Sequence, residues 1–282
     1  MSWQILTGIS VLTFSASILL RRVLLHNDKS DPIAYVIVFQ GLVGIITGVY
    51  AVIHGFQMPD FGKYWFAITL TTILYALAHV TSAKALQRIE ASVFSVLFAT
   101  SAVWTMFIGL FLLHDSLSPV QVLGVIVIFI SVVALIEDKK SLKLDRGIAL
   151  GLISAALFGL AIAGWAYVGR RADVPSWTAL SFLGPALLVL AIRPRSVMKM
   201  KPFLKKDLLL KMLLLGAIFS ISSLASLLAY KNGNVNVVAV LQQTGIIVTT
   251  ILGIIFLHER KHLWQKAAAA VICFVGVLLV LK

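Results

Sequence analysis

Charged residues are scarce in this sequence. Of its 282 residues only 12% are Asp, Glu, Lys or Arg, while 60% are hydrophobic, and the mean hydropathy is +1.00. A soluble domain carries about 25% charged residues, so this composition excludes an ordinary soluble protein. The few charges lie in short breaks between apolar runs, as expected because a charge in the middle of a bilayer is costly. The chain is therefore predicted to be an integral membrane protein.

Acidic residues and cysteine are scarcer still. There are 11 acidic residues against 24 basic ones, and a single cysteine, Cys273. One cysteine excludes an intrachain disulfide. The net charge of +13 does not indicate nucleic-acid binding, because the basic residues flank apolar runs of membrane-spanning length. We expect no nucleic-acid partner, and we expect the basic loops to meet the anionic headgroups of the lipid bilayer.

Ten apolar runs are long enough to cross a membrane, and only helices satisfy their backbone polar groups there. The first run has no basic residue before it, so we expect it to be retained as a helix rather than removed as a signal peptide. The fold class predicted is an all-α integral membrane protein with ten transmembrane helices. The runs cover residues 3–20, 33–53, 64–83, 91–113, 119–136, 147–168, 176–192, 208–229, 235–257 and 263–281.

The stretch 85–135 recurs 144 residues later, at 229–279. Similarity at a fixed offset means that one structural unit is used twice. We predict two five-helix repeats, residues 1–140 and 145–282, and because five is odd the repeats enter the membrane with opposite orientations. Inverted repeats are found mainly in secondary transporters. The polar and glycine pairs that carry the repeat are Thr100/Thr244, Thr105/Thr249, Gly109/Gly253, His114/His258 and Gln121/Gln265.

Lysine and arginine are distributed unevenly between the two sides. Nineteen of the 24 adjoin the odd-numbered loops between the predicted helices, Arg21 and Arg22 among them, and five lie on the other side. Cytoplasmic loops carry the excess of basic residues. The count therefore predicts that the odd-numbered loops are cytoplasmic and that both termini are outside.

The plan of the whole chain resembles a known family. Ten spans, halves of about 140 residues, and the helix end Gly253-Ile-Ile-Phe-Leu-His-Glu259 followed by Gln265 are similar to the EamA-like branch of the drug/metabolite transporter superfamily. The resemblance implies a transporter that exports or exchanges amino acids, other small metabolites or drugs. In contrast to the charge count, it also implies that both termini are in the cytoplasm. It identifies the fold better than the solute.

Polar and aromatic residues recur at spacings of three or four in several predicted helices, which places them on one face of each helix. Ser10 and Ser154 are related by the offset of 144, as are Phe14 and Phe158, so each repeat is predicted to supply one half of a solute site. The alternative is that these small and hydroxyl residues mediate helix packing. The candidate substrate-binding residues are Ser10, Phe14, Gln40, Tyr75, His79, Ser101, Ser154, Phe158, Trp165, Ser223, Gln242 and Thr249.

No Asp, Glu or Arg falls within the predicted spans. A site without a fixed charge suits a small neutral, zwitterionic or amphipathic organic solute better than an anionic sugar phosphate. We expect a secondary transporter of such a solute, an amino acid or a related metabolite, working by alternating access as an exporter, facilitator or exchanger in a prokaryotic inner membrane, without a cofactor. Multidrug efflux and a non-transporting membrane scaffold remain alternatives.

One motif indicates a different function, that of a zinc enzyme. His258-Glu259-Arg260-Lys261-His262 fits H-E-x-x-H, which on a helix would bind zinc. Here it falls where the ninth predicted helix ends, the 20 residues after it include neither an acid nor a histidine, and a third ligand would have to come from far upstream. We interpret the motif as a polar turn at a helix end, expect no bound metal, and keep an intramembrane zinc enzyme as an alternative.

Overall fold

The computed structural model describes residues 1–25, 31–104, 118–134, 145–233, 238, 241–258 and 262–280, and these residues form helices and no strand. Thr105, Gly109 and His114 of the sequence repeat lie outside the described residues. The α-helices are α1 (Trp3–Leu25), α2 (Pro32–Ile53), α3 (Phe61–Leu86), α4 (Ala91–Ala99), α5 (Pro119–Ala134), α6 (Arg146–Gly169), α7 (Val174–Ile192), α8 (Lys206–Asn232), α9 (Gly245–Phe256) and α10 (Leu263–Val280).

Seven of these helices are long and apolar enough to cross a membrane: α1, α2, α3, α6, α7, α8 and α10. The apolar helices Ala91–Trp104, Pro119–Ala134 and Gly245–Phe256 are shorter. Two 3₁₀ turns, Pro194–Lys199 and Lys201–Leu204, connect α7 to α8. The described chain is thus an all-helical, multi-pass membrane protein, as its composition predicts.

Aspartate marks the start of four helices. Asp31 accepts hydrogen bonds from the Ile33 and Ala34 N–H groups at the start of α2. Asp60, Asp145 and Asp173 cap α3, α6 and α7 in the same way. Each such cap contributes about 1 kcal/mol. These four of the scarce acidic residues therefore stand where helices begin.

Helix α1 runs five residues beyond the predicted end at residue 20, and this corrects one interpretation. Arg21 and Arg22, which follow the first predicted span, belong to the last two turns of the helix. Arg21 Nη2 donates to Ser82 Oγ at 2.5 Å, and Arg22 Nη1 donates to the Leu86 carbonyl at 2.6 Å. Because partners on α3 satisfy donors of both guanidinium groups, the helix continues through them.

The helices pack as antiparallel pairs that join the first half of the chain to the second: α1 with α8, α2 with α7, α3 with α6, and α5 with α10. Corresponding helices of the two halves, such as α1 and α6, consequently run in opposite directions. The residues that meet across the pairs include Ser10 with Ser222, Trp3 with Gly233, Gly48 with Ala179, Gln57 with Ser176, Thr71 with Gly164, Arg88 with Gly147, Gly124 with Val280, and Ala134 with Gln265.

This pairing gives the bundle two ends. The basic end is the one at which α1 ends and α2 begins, and the mouth end is the one at which α1 begins. At the basic end two ion pairs connect the halves: Lys199 with Asp31, and Lys266 with Glu90. Burial raises the pKa of Asp31, but hydrogen bonds from Lys199 and from the Ala34 N–H outweigh it, so this pKa lies below its ordinary value.

Candidate functional site

A cavity of about 520 Å³ lies between the two halves. Pockets of 300–1,000 Å³ are typical for small organic ligands. Residues from α1 and from each of the helices α3 to α10 line it. Its lining reaches the mouth end at Gln121, Tyr230 and Val280, which lie at or within two residues of helix termini. Toward the basic end the lining stops at Arg21, four residues before α1 ends and 2% exposed.

The structure brings most of the predicted site residues to this one cavity. The lining includes residues from both halves, so the two sets of amphipathic faces converge. The predicted residues found there are Ser10, Phe14, Tyr75, His79, Ser101, Phe158, Trp165, Ser223, Gln242 and Thr249.

Gln40 and Ser154 do not line the cavity. On α2 the neighbouring Phe39 faces inward, with its ring 5.7 Å from that of His79, so Gln40 points about 100° away around the helix. Ser154 is fully buried, and its hydroxyl donates to the Gly151 carbonyl at 2.8 Å. Because α1 and α6 run in opposite directions, Ser10 lies toward the mouth end whereas Ser154 lies toward the closed basic end. Ser10 and Ser154 are therefore equivalent in the sequence repeat, but only Ser10 lines the cavity.

His79 sits in the middle of an aromatic cluster. Its ring centroid lies 4.9 Å from Phe158, 6.0 Å from Phe182 and 6.4 Å from Phe219. The His79 Nδ1 atom is buried and has no hydrogen-bond partner. Phe182 was not among the predicted residues, since its position on α7 follows no polar stripe in the sequence. The cluster offers flat apolar walls to a ligand.

Polar groups gather nearer the mouth end. Tyr230 donates from its hydroxyl to Gln242 Oε1 at 3.1 Å, and Gln242 Nε2 donates to Ser226 Oγ at 2.6 Å. Trp165 Nε1 donates to Ser181 Oγ at 3.2 Å. These bonds hold Gln242 and Trp165 in place on the cavity wall. The sequence missed Tyr230, which lies near the end of α8 and resembles an ordinary interfacial tyrosine.

Arg21 lies inside α1 and not, as predicted, beyond the end of the first span. It lines the cavity, and its guanidinium carbon lies 5.4 Å from the centre of the Phe39 ring. The predicted absence of Asp, Glu and Arg from the membrane interior is therefore wrong for arginine. In the sequence, Arg21 and Arg22 form one basic pair after an apolar run. Only the structure, through the contact of Arg21 with Ser82, shows which of the two points into the bundle. The cavity carries a fixed positive charge.

A model of a known family decides the class of the protein. The model described as the EamA-like transporter family matches residues 1–136 and 145–282, nearly the whole chain. The chain belongs to the EamA-like transporter family. The resemblance inferred from the sequence is thus confirmed, and the EamA-like protein is a membrane transporter of the drug/metabolite type, from a family of transporters rather than enzymes.

Comparison with solved structures supports the fold of this EamA-like chain. One structure, described only as the crystal structure of a protein, aligns with a TM-score of 0.62 and 15% identity over 97% of each chain. At that identity the similarity concerns the fold alone. No curated protein sequence matches the chain significantly.

The EamA-like backbone does not support the zinc-enzyme alternative. Helix α9 ends at Phe256 and α10 begins at Leu263, and His258 and His262 have φ angles of 54° and 51°. The H-E-x-x-H motif binds a metal when a continuous helix holds both histidines on one face, and a positive φ interrupts a helix. Residues 259–261 lie outside the described residues. Within the described part of the chain, no three His, Cys, Asp or Glu side chains are grouped to hold a metal ion.

Proposed function

We propose that this EamA-like protein is a secondary transporter that moves a small organic solute with an apolar body, such as an amino acid or a related metabolite, across a prokaryotic inner membrane. The observation that carries the proposal is the 520 Å³ cavity lined from both halves of the chain. Substrate sites of inverted-repeat transporters lie at the interface between the repeats.

The difference between the two ends of the bundle supports alternating access. The cavity reaches the mouth end, while the ion pairs Asp31–Lys199 and Glu90–Lys266 hold the halves together at the basic end. In the proposed cycle two inverted repeats, residues 1–140 and 145–282, contribute five spans each and rock about the cavity, so that the basic end opens as the mouth end closes.

Cationic drugs are disfavoured by the same cavity. Its charged lining residue is Arg21, and no Asp or Glu is part of the lining formed by the described residues. A cation would meet repulsion there without a carboxylate to offset it. The solute class therefore excludes organic cations.

The orientation proposed has the basic end in the cytoplasm. Without Arg21, which lies in the cavity, 19 − 1 = 18 basic residues still adjoin that end against five on the other side. A bacterial strain carrying an alkaline phosphatase fusion at the C-terminus is expected to show phosphatase activity, and a green fluorescent protein fusion at the same place is expected to stay dark. The reverse pattern would place both termini in the cytoplasm.

A hydroxyl deletion tests the cavity as the solute site. Ser10 lines the cavity, and among the described residues its side-chain oxygen forms no hydrogen bond, so it is available to a solute. We expect Ser10→Ala to slow uptake several-fold, as the loss of about one hydrogen bond would, without lowering the melting temperature. Solute counterflow in proteoliposomes, screened with amino acids and related metabolites, is the measurement.

Ser154→Ala is the matched control. It removes the equivalent hydroxyl of the second half, but this hydroxyl is directed to the Gly151 carbonyl and lies outside the lining. Counterflow in Ser154→Ala is expected to equal that of the wild type. Equal loss in both variants would mean that the serines serve packing and that the solute binds elsewhere.

A further inference from the structure

Arg21 is a buried cation without a carboxylate partner in the described structure, and the phenol of Tyr35, also buried, lies beside it. Arg21 is 2% exposed, its Nη2 donates to a neutral hydroxyl, Ser82 Oγ, and its Nε has no hydrogen-bond partner. The ion pairs formed by the described residues engage Lys199 and Lys266 instead. Arginine keeps its proton in proteins, so this charge persists when the cavity is empty.

The surroundings of Arg21 make that charge unfavourable. The Phe39 ring lies 5.4 Å from the guanidinium carbon, and the rings of His79 and Phe219 lie next to Phe39, at 5.7 and 5.0 Å. A cation–π contact compensates the charge only in part. Burying a charge without a counter-ion costs stability, and evolution retains such residues mainly for function. A ligand that supplies the counter-ion would remove the cost.

We propose that the solute is an organic monoanion, a small carboxylate with an aromatic or branched apolar body, whose carboxylate binds the Arg21 guanidinium while its body packs against the phenylalanine cluster. This inference rests on the proposed function and narrows its solute class. Arginine suits the task because its planar fork of N–H donors matches the two oxygens of a carboxylate. His79, whose buried Nδ1 has no hydrogen-bond partner, is a second polar residue in the cavity lining.

The net charge of the occupied cavity distinguishes a monoanion from zwitterionic, dianionic and neutral solutes. A monoanion brings the cavity to neutrality. A zwitterion adds an ammonium group that has no carboxylate to meet within the described lining, so the net charge stays positive. A dianion such as a phosphate ester would leave a negative charge buried among neutral hydroxyls and rings. Neutral solutes leave the Arg21 charge uncompensated.

The test uses four probes, three of which share one body: 3-phenylpropionate, its neutral amide, and zwitterionic phenylalanine, with inorganic phosphate as an anion that has no apolar body. Thermal stabilisation of the purified protein measures binding, since a ligand of the folded state raises the melting temperature. We expect 3-phenylpropionate to stabilise the wild type most. Arg21→Gln should weaken its apparent affinity about tenfold or more, and Arg21→Lys should weaken it less.

Arg22→Gln is the matched control, because Arg22 donates to the Leu86 carbonyl and lies outside the cavity lining. It should bind 3-phenylpropionate like the wild type. Arg21→Gln without ligand should melt at the wild-type temperature or higher, because it removes an uncompensated charge. A lower melting temperature for the empty variant would mean that Arg21 serves the fold and would overturn the proposal.

Other outcomes also decide the matter. The anion assignment would be overturned if the amide or phenylalanine stabilised the protein as much as 3-phenylpropionate does. It would also be overturned if phosphate alone stabilised the protein, if no probe did, or if Arg21→Gln bound 3-phenylpropionate as the wild type does. Counterflow separates this failure from that of the proposed function. If phenylalanine or another uncharged or zwitterionic solute is transported equally by the wild type and Arg21→Gln, the protein is a transporter and only the anion inference falls.

Discussion

Gly124→Ala is expected to destabilise the protein by about 1–3 kcal/mol, the usual range for forcing an extra carbon into a packed contact. A Cβ at Gly124 of α5 would lie 2.6 Å from the Val280 nitrogen and 2.7 Å from the Gly276 carbonyl oxygen of α10. Both atoms belong to the backbone, so they cannot turn aside as a side chain would. The two helices would have to separate. The melting temperature of the purified protein in detergent is the measurement.

Gly41→Ala is the control for this substitution. A Cβ at Gly41 on α2 would have no heavy atom within 4 Å. Alanine is a better helix former than glycine by about 1 kcal/mol, so this variant should be as stable as the wild type or slightly more stable. If Gly124→Ala and Gly41→Ala have the same melting temperature, the close approach of α5 and α10 contributes nothing to stability.

Glu90→Ala is expected to cost about 2 kcal/mol, less than the 3–5 kcal/mol of a fully buried pair because water still reaches the glutamate. The Lys266 side chain is 7% exposed and that of Glu90 is 28% exposed. Removing the carboxylate leaves the ammonium buried beside α4. The Glu90 side chain does not cap the start of α4, so the expected loss of stability comes from the ion pair and not from a lost cap.

Two comparisons sharpen this prediction. The double variant Glu90→Leu with Lys266→Met should recover much of the loss, since apolar side chains of similar size can replace a buried pair. Lys199→Ala breaks the exposed pair, whose side chains are 65% and 21% exposed, and should cost no more than about 1 kcal/mol. Additive losses in the double variant, or equal losses at both pairs, would contradict the assignment of a buried pair at Lys266.

The sequence allowed the helical class, the approximate helices and most of the cavity to be predicted, because each depends on local periodicity. Phe14, Tyr75 and Phe158 recur on one face of their helices, and such a face has to meet either another helix or a cavity. The resemblance to the EamA-like family added the function at the level of transport. No sequence feature identifies the solute.

The features that could not be predicted depend on where a side chain points around its helix, or on which way the helix runs. Phe39 and Gln40 are adjacent, and only the packing of α2 determines that the phenylalanine lies against the cavity residues His79 and Phe219. Arg21 and Arg22 are chemically identical, yet one lines the cavity and the other meets the end of α3. Ser154 repeats Ser10 in sequence, but the opposite course of its helix places it at the closed end. These distinctions are tertiary, and a single sequence does not contain them.

The position of the acidic residues bears on how the protein is energised. In the described ranges, six acidic side chains occur, and all of them stand at or within the first turn of a helix: Asp31, Asp60, Glu90, Asp145, Asp173 and Asp207. A carboxylate there interacts favourably with the helix dipole. Asp31, Asp60, Asp145 and Asp173 also accept capping bonds, and Glu90 pairs with Lys266. The six described carboxylates are thus committed to helix starts and not to the interior of the spans, and we expect the solute to move without strong proton coupling.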